Sequence, residues 1–293
     1  MVTWDYSGDE AFFLSAAVVL TATGLWRWFL GPMQIWRGGR GPLHRLAPWA
    51  TLLATLTILY AVLQTWADPK YVVGHADYTL LFMLGGMAWT MLALWAMSVL
   101  GLSVRDDGLE RDNAAAMVAI CGTTAGLMLA YIFANIGGGE SIWETIVPAI
   151  AASGMLLILW GIVARVSGAV EAIAIDRDVA AGWRMGGFAV ACGAILGRSM
   201  AGDFESWGAT WSEFVAFGWP VVLVAVVVAV LNIAWRPTPQ RPRPAPLALG
   251  AVPALVLILL AGFYVMSLGR PVVKPYPPAA NMNVPAERDA TQR

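Results

Sequence analysis

Charged residues are scarce in this chain. Asp, Glu, Lys and Arg make up 13% of its 293 residues, while 59% are hydrophobic and the mean hydropathy is +0.67. Soluble domains carry roughly 25% charged residues. A deficit spread over the whole length predicts that lipid is the solvent for most of the chain. The net charge of -1 provides no overall field that would attract nucleic acid or an anionic substrate.

Cysteine and histidine are scarcer still. Cys121 and Cys192 both lie inside apolar runs, which argues against a disulfide framework and against a cysteine metal site. The two histidines, His44 and His75, are predicted near opposite surfaces of the membrane, so they cannot share a haem or a metal ion. The sequence contains no Gly-rich phosphate loop and no Ser-His-Asp pattern. We therefore expect no cofactor, no metal site and no catalytic residues.

Eight apolar runs are long enough to cross a bilayer, for which about 20 helical residues are needed. They cover residues 11–30, 46–67, 77–102, 113–136, 142–165, 180–200, 212–235 and 247–268. Helices are predicted because backbone groups in lipid must be satisfied within the segment, and the alternating runs of a β-barrel are missing. The weakest run is 180–200, whose Arg184 and Arg198 are expected to reach the interface. The predicted fold class is an all-α integral membrane protein, a bundle of about eight transmembrane helices.

Arginines are concentrated on alternate connections between these runs. They are Arg37, Arg40, Arg45, Arg105, Arg111, Arg177, Arg236, Arg241 and Arg243. The opposite connections contain only Lys70, with Arg198 at a helix end. The positive-inside rule therefore predicts that the arginine-bearing connections face the cytoplasm and that both termini lie outside.

These features divide the chain into four parts. Residues 1–75 form an N-terminal two-helix segment, 76–200 a four-helix core, and 201–270 a C-terminal two-helix segment. The tail 271–293 is rich in proline and polar residues and is predicted to be disordered. The connection 236–246 is predicted to be a stiff spacer, with contact to anionic lipid headgroups as the alternative.

Two short segments of the core resemble each other. Residues 110–117 read ERDNAAAM, residues 176–183 read DRDVAAGW, and their aspartates, Asp112 and Asp178, are 66 residues apart. Each aspartate precedes a helix of small residues and is predicted to be its N-cap. We interpret the segments as two copies of a helix, a charged turn and a second helix. The repeat motif comprises Glu110, Arg111, Asp112, Asn113, Asp176, Arg177 and Asp178.

Glycines in the core recur at four-residue spacing. The pairs are Gly122 and Gly126, Gly182 and Gly186, and Gly193 and Gly197. Small residues at this spacing let two helices approach closely in lipid. We therefore predict a tight helix interface lined by glycine and alanine, which a bulky residue at Gly186 would destabilise.

On these residues the core resembles the YjfL-like inner-membrane family (domain of unknown function 350). The matching segments are 112–115, Asp-Asn-Ala-Ala, and 178–181, Asp-Val-Ala-Ala, within about residues 76–200. The resemblance implies a unit of two tandem repeats, each with an Asn-x-Ala-Ala type motif opening its second helix. It also implies a bacterial inner-membrane protein of unestablished activity, in a family whose members often resemble partners of cytosolic ligases of the ATP-grasp type. The chain departs from the family pattern because both predicted caps are Asp rather than Asn.

Charge concentrated in the two cytoplasmic turns favours a non-enzymatic function. The leading hypothesis is an oligomeric membrane scaffold or docking subunit, whose partners are the lipid bilayer, a soluble cytoplasmic protein and further copies of itself. The alternative is an oligomeric channel or transporter for a small ion or solute, with Asp112 and Asp178 at its inner mouth. Capped, solvated turns without a further role are the plain structural alternative. A lipid-modifying enzyme is a third class, for which no catalytic pair is visible.

A second polar group is predicted near the outer surface. It comprises Glu144, Arg198 and Asp203. Pairing of Arg198 with a carboxylate would suit a gate or a cation site, whereas the plainer interpretation is a set of interfacial residues that face water.

Overall fold

The eight predicted apolar helices are confirmed. The computed structural model describes residues 6–31, 42–139, 141–238 and 245–271, in which there is no β-strand. The long helices are α1 (Gly8–Leu30), α2 (Pro42–Thr65), α3 (Ala76–Val99), α4 (Ala114–Ala134), α5 (Trp143–Ser167), α6 (Val179–Arg198), α7 (Trp207–Ala234) and α8 (Leu247–Ser267). Each is long and apolar enough to cross a membrane. Two short helices, Val104–Glu110 and Ala169–Ala174, precede α4 and α6.

Some predictions lie outside the described residues. They are the arginines of 32–41 and 239–244 and the tail that follows Pro271.

Several helices begin just after a residue whose side chain accepts a hydrogen bond from the first free backbone N–H groups. The Ser7 hydroxyl accepts a hydrogen bond from the Glu10 N–H at 3.3 Å, and the Glu10 carboxylate accepts one from the Ser7 N–H at 2.7 Å. The Ser206 hydroxyl accepts one from the Ala209 N–H at 3.2 Å. This cap starts α7 at Trp207, earlier than the predicted run, because the cap rather than hydropathy sets the boundary.

Alternate connections gather at the two ends of the bundle. At one end the Tyr6 hydroxyl donates to the Asp77 carbonyl at 3.0 Å, and the Trp143 ring N–H donates to the Asp9 carboxylate at 3.0 Å. At the other end the Asn113 side chain donates to the Ile173 carbonyl at 2.8 Å. We call this second end, where α4 and α6 begin, the capped end. Successive helices therefore run in opposite directions.

Helix α6 is the centre of the bundle. In the apolar stretch of α6, 78% is buried inside the bundle, whereas in that of α8 only 17% is buried. Helix α6 contacts α4, α5, α7 and α8. The remaining faces of α7 and α8 carry exposed apolar side chains, among them Val215, Phe263 and Met266. The outside of the bundle is therefore apolar, as a lipid-facing surface requires.

Glycines bring α4 and α6 into backbone contact. A Cβ built on Gly122 would lie 2.5 Å from the Gly186 Cα, and one on Gly182 would lie 2.5 Å from the Ala115 carbonyl oxygen. Gly126 and Gly193 face each other, so a Cβ on Gly193 would overlap the Gly126 carbonyl. Gly197 lies against Phe133. All six glycines chosen from the sequence thus lie on this contact, which we call the glycine seam.

We predict that Gly193→Ala destabilises the protein by about 1–3 kcal/mol, because the added methyl group meets backbone that cannot rotate away. Gly154→Ala is the matched control: Gly154 is also in a helix, but a Cβ there meets nothing within 4 Å. That control is expected to be neutral or mildly stabilising, since alanine favours helix more than glycine does. Unfolding in detergent measures both, and equal stability of the two variants would contradict the seam.

Candidate functional site

The first charged connection is folded around Asp107. The Asp107 carboxylate accepts a hydrogen bond from the Ser103 N–H at 2.8 Å and from the Arg111 guanidinium at 2.9 Å. Arg105 pairs with Glu110 at 2.9 Å on the surface. Exposed pairs of this kind contribute little, about 0–1 kcal/mol. The buried Asp107 is therefore the anchor of this connection, and its other charges remain at the surface.

The predicted cap of α4 is wrong by one residue. Asn113, not Asp112, is the N-cap: its side-chain oxygen accepts from the N–H groups of Ala115 at 3.0 Å and Ala116 at 3.3 Å. Asp112 lies just before it with a left-handed φ of 50°. Both residue types cap well, but only an amide also donates, and Asn113 Nδ2 donates to the Ile173 carbonyl. The departure from the Asn-x-Ala-Ala motif therefore applies only to the second segment.

The predicted cap of α6 is where the structure has it. The Asp178 carboxylate accepts from the Ala180 N–H at 2.9 Å. Arg177 before it has a φ of 55°, matching Asp112 in the first segment. The Asp178 N–H donates to the Ala172 carbonyl at 2.9 Å, just as the Asn113 N–H donates to the Asp107 carbonyl at 3.2 Å. The two segments thus correspond when Asn113 is aligned with Asp178, one residue away from the alignment read from the sequence.

Arg184 does not reach the interface, contrary to the expectation. It is completely buried, and its Nη2 lies 3.5 Å from the Asp178 carboxylate. Its Nε donates to the Asn232 side chain at 2.7 Å, and its Nη1 donates to the Leu249 carbonyl. Pro253, four places after Leu249, has no N–H and so cannot make the α-helical hydrogen bond to the Leu249 carbonyl. Three polar groups, from the cap of α6, from α7 and from α8, therefore replace water around one guanidinium.

Burial raises the pKa of Asp178, while the Arg184 charge and backbone hydrogen bonds act in the opposite direction. A raised folded-state pKa means that protonation favours the folded state, so this group's contribution to stability decreases as the pH rises through that pKa. The nearby guanidinium opposes this loss by stabilising the ionised carboxylate.

The predicted outer polar group is divided among three elements. Arg198 is nearly buried rather than facing water, and its Nη2 donates to the Gly269 carbonyl at 3.0 Å, beyond the end of α8. Asp203 accepts from the Gly138 N–H at 2.9 Å, and Glu144 accepts from the Ser141 N–H at 3.4 Å at the start of α5. Arg198 thus serves carbonyl groups left open at a helix end. Use of these residues as a gate or cation site stays a prediction.

Arg184 and Arg198 together connect α6 to both ends of α8. This role was missed from the sequence, where both were expected to extend outwards. The signals that could have found it are two polar residues, Arg184 and Asn232, each inside an otherwise apolar run, and Pro253, which has no N–H near the start of α8.

No family model, curated protein or solved structure matches this chain. The resemblance to the YjfL-like family therefore stays a prediction. Within the described residues no group of His, Cys, Asp and Glu side chains has the arrangement of a metal site.

We predict that Arg184→Met lowers the free energy of unfolding by about 3–5 kcal/mol, because it leaves the Asp178 carboxylate buried and unpaired. Adding Asp178→Asn is expected to restore much of this loss, since asparagine caps a helix as well as aspartate does and carries no charge. The loss in the single variant also becomes smaller as the pH is lowered, because protonation neutralises Asp178.

Thermal or denaturant unfolding in detergent, measured across pH, gives these values. Arg270→Met is the control, since Arg270 is exposed. A double variant no more stable than Arg184→Met would contradict the charge pairing.

Proposed function

We propose that the protein is a non-enzymatic, multi-pass inner-membrane protein that docks a soluble cytoplasmic partner at its capped end. The observation that supports this most is the hydrogen bond from Asn113 to Ile173, which joins the two charged connections. Because each connection is also tied to a helix start, the two present one continuous surface. We call this surface the docking face, and its residues are Arg105, Glu110, Arg111, Glu171, Ile175, Asp176 and Arg177.

The composition of the docking face favours a protein partner. Its charged residues carry both signs, and all seven members are exposed. Ile175 is 74% exposed among these charges. An apolar side chain within a polar rim is the usual arrangement of a protein interface, where a few apolar anchors contribute most of the affinity. Charges of both signs suit selection of one partner more than attraction of any polyanion.

Insertion and orientation are part of the proposal. Eight apolar helices with an apolar outer surface support membrane insertion. The capped end holds Arg105, Arg111, Arg165, Arg177 and Arg236, so the positive-inside rule favours the cytoplasm for this end and the outside for both termini.

A tandem duplication of the central helix pairs is also proposed, in the alignment of Asn113 with Asp178. In both segments the N-cap follows a residue with left-handed φ, Asp112 or Arg177. In both, the N-cap N–H also donates to the carbonyl six residues earlier. Gly137 and Gly202, each with positive φ just after α4 and α6, fit the same alignment.

The channel alternative receives less support. Asp178 is 5% exposed, and its carboxylate accepts hydrogen bonds from the Ala180 N–H and the Arg184 guanidinium. A carboxylate that lines a pore mouth must instead be available to ions. Of the two aspartates, only Asp112 is partly exposed.

We predict that a photo-crosslinking amino acid at Ile175 captures a soluble protein in cells. The matched control is the same amino acid at Ile158, which is 60% exposed on the lateral face of α5. Charge reversal by Arg105→Glu with Arg111→Glu is expected to reduce the capture at Ile175 severalfold. Gel electrophoresis gives the mass of the crosslinked adduct, and mass spectrometry identifies the captured protein.

Absence of a protein adduct at Ile175, or equal capture at both positions, would overturn the docking proposal. Ion flux through liposomes that disappears in Asp112→Asn would favour the channel instead.

A further inference from the structure

A shallow groove runs along the outside of α5 toward the capped end. It has a volume of about 600 Å³, and it is lined by Leu100, Leu157, Ile158, Gly161, Ile162 and Arg165, with Val166 at its edge. From Leu157 to Arg165 the helix rises about 12 Å, at about 1.5 Å per residue. The groove is therefore long enough to take several methylene groups of a chain lying along the helix.

Gly161 creates the floor of this groove. A Cβ there would lie 3.5 Å from a Leu100 methyl group, which is ordinary contact, and no closer atom is within reach. Ile158 and Ile162 on the rim are 60% and 52% exposed. A longer side chain at position 161 would thus fill the groove without forcing the helices apart.

A cation closes the groove at the capped end. Arg165 is exposed in the last turn of α5, and it has no hydrogen bond or ion pair with any residue that the structure describes. A second arginine, Arg236, lies at the same end of α5, with its guanidinium 3.1 Å from where a Gly168 Cβ would be. An apolar groove that ends in an unpaired cation is complementary to an apolar chain that ends in an anion.

We propose that this groove binds an anionic phospholipid, with an acyl chain along Gly161 and the phosphate on Arg165. The proposal rests on the membrane insertion proposed above. It commits to a lipid because the groove opens sideways onto the apolar surface of the bundle, which only lipid or another apolar body can reach. Arginine suits this position because its guanidinium matches phosphate oxygens and remains charged.

The test uses the full-length protein in detergent, titrated with phosphatidylglycerol or with phosphatidylcholine, and counts bound lipids by native mass spectrometry. The wild type is expected to retain phosphatidylglycerol preferentially. Arg165→Ala is expected to weaken that binding about fivefold, equivalent to about 1 kcal/mol for one arginine at a lipid surface, and Arg165→Lys to keep most of it. Arg27→Ala, which removes an exposed arginine in the last turn of α1, should leave lipid binding unchanged.

Gly161→Leu tests the groove itself. It is expected to weaken retention of both lipids, whereas Gly262→Leu, on a helix glycine that also has open space around it, should not. Equal retention of the two lipids by the wild type, or unchanged phosphatidylglycerol binding in Arg165→Ala, would overturn the proposal.

Incorporation into nanodiscs separates this proposal from the previous one. Failure to incorporate would overturn membrane insertion and the lipid site together. Incorporation without lipid preference would overturn the lipid site alone and leave docking at Ile175 intact.

Discussion

The buried guanidinium of Arg184 is the interaction on which the rest of the bundle depends. A charge taken out of water is tolerated only when partners replace its hydration, and here they come from three helices: Asp178 before α6, Asn232 of α7 and the Leu249 carbonyl of α8. Apolar helices in lipid have no hydrophobic reason to choose one neighbour over another. One cation that requires all these partners selects a single arrangement of α6, α7 and α8.

Helix α8 shows why such a connection is needed. It is the least buried of the eight helices, and its exposed face is almost entirely apolar. Arg184 donates to the Leu249 carbonyl near the start of α8, where Pro253 has no N–H to donate. Arg198 donates to the Gly269 carbonyl beyond the end of α8. Carbonyl groups that a helix cannot satisfy by itself thus become the points at which a neighbouring helix holds it.

The glycine seam and the docking face are linked through the same backbone. Where Gly122 contacts Gly186 and Gly182 contacts Ala115, the backbones of α4 and α6 lie against each other. The two helix starts are therefore close enough for Asn113 to reach Ile173 across the capped end. The Asp107 and Asp178 carboxylates accept hydrogen bonds inside this end, so the exposed charges and Ile175 are the residues available to the partner proposed above.

The number and the approximate ends of the helices follow from the sequence by itself, because runs of about 20 apolar residues with few charges have one stable form in lipid. The six seam glycines and the cap at Asp178 were also visible there, since spacing and residue type are local properties. Tertiary structure decided the cap at Asn113, because the second hydrogen bond that favours asparagine over Asp112 goes to Ile173, which is remote in the sequence. It likewise decided the position of Arg184: whether an arginine extends outwards or turns inwards depends on whether partners from other helices meet it.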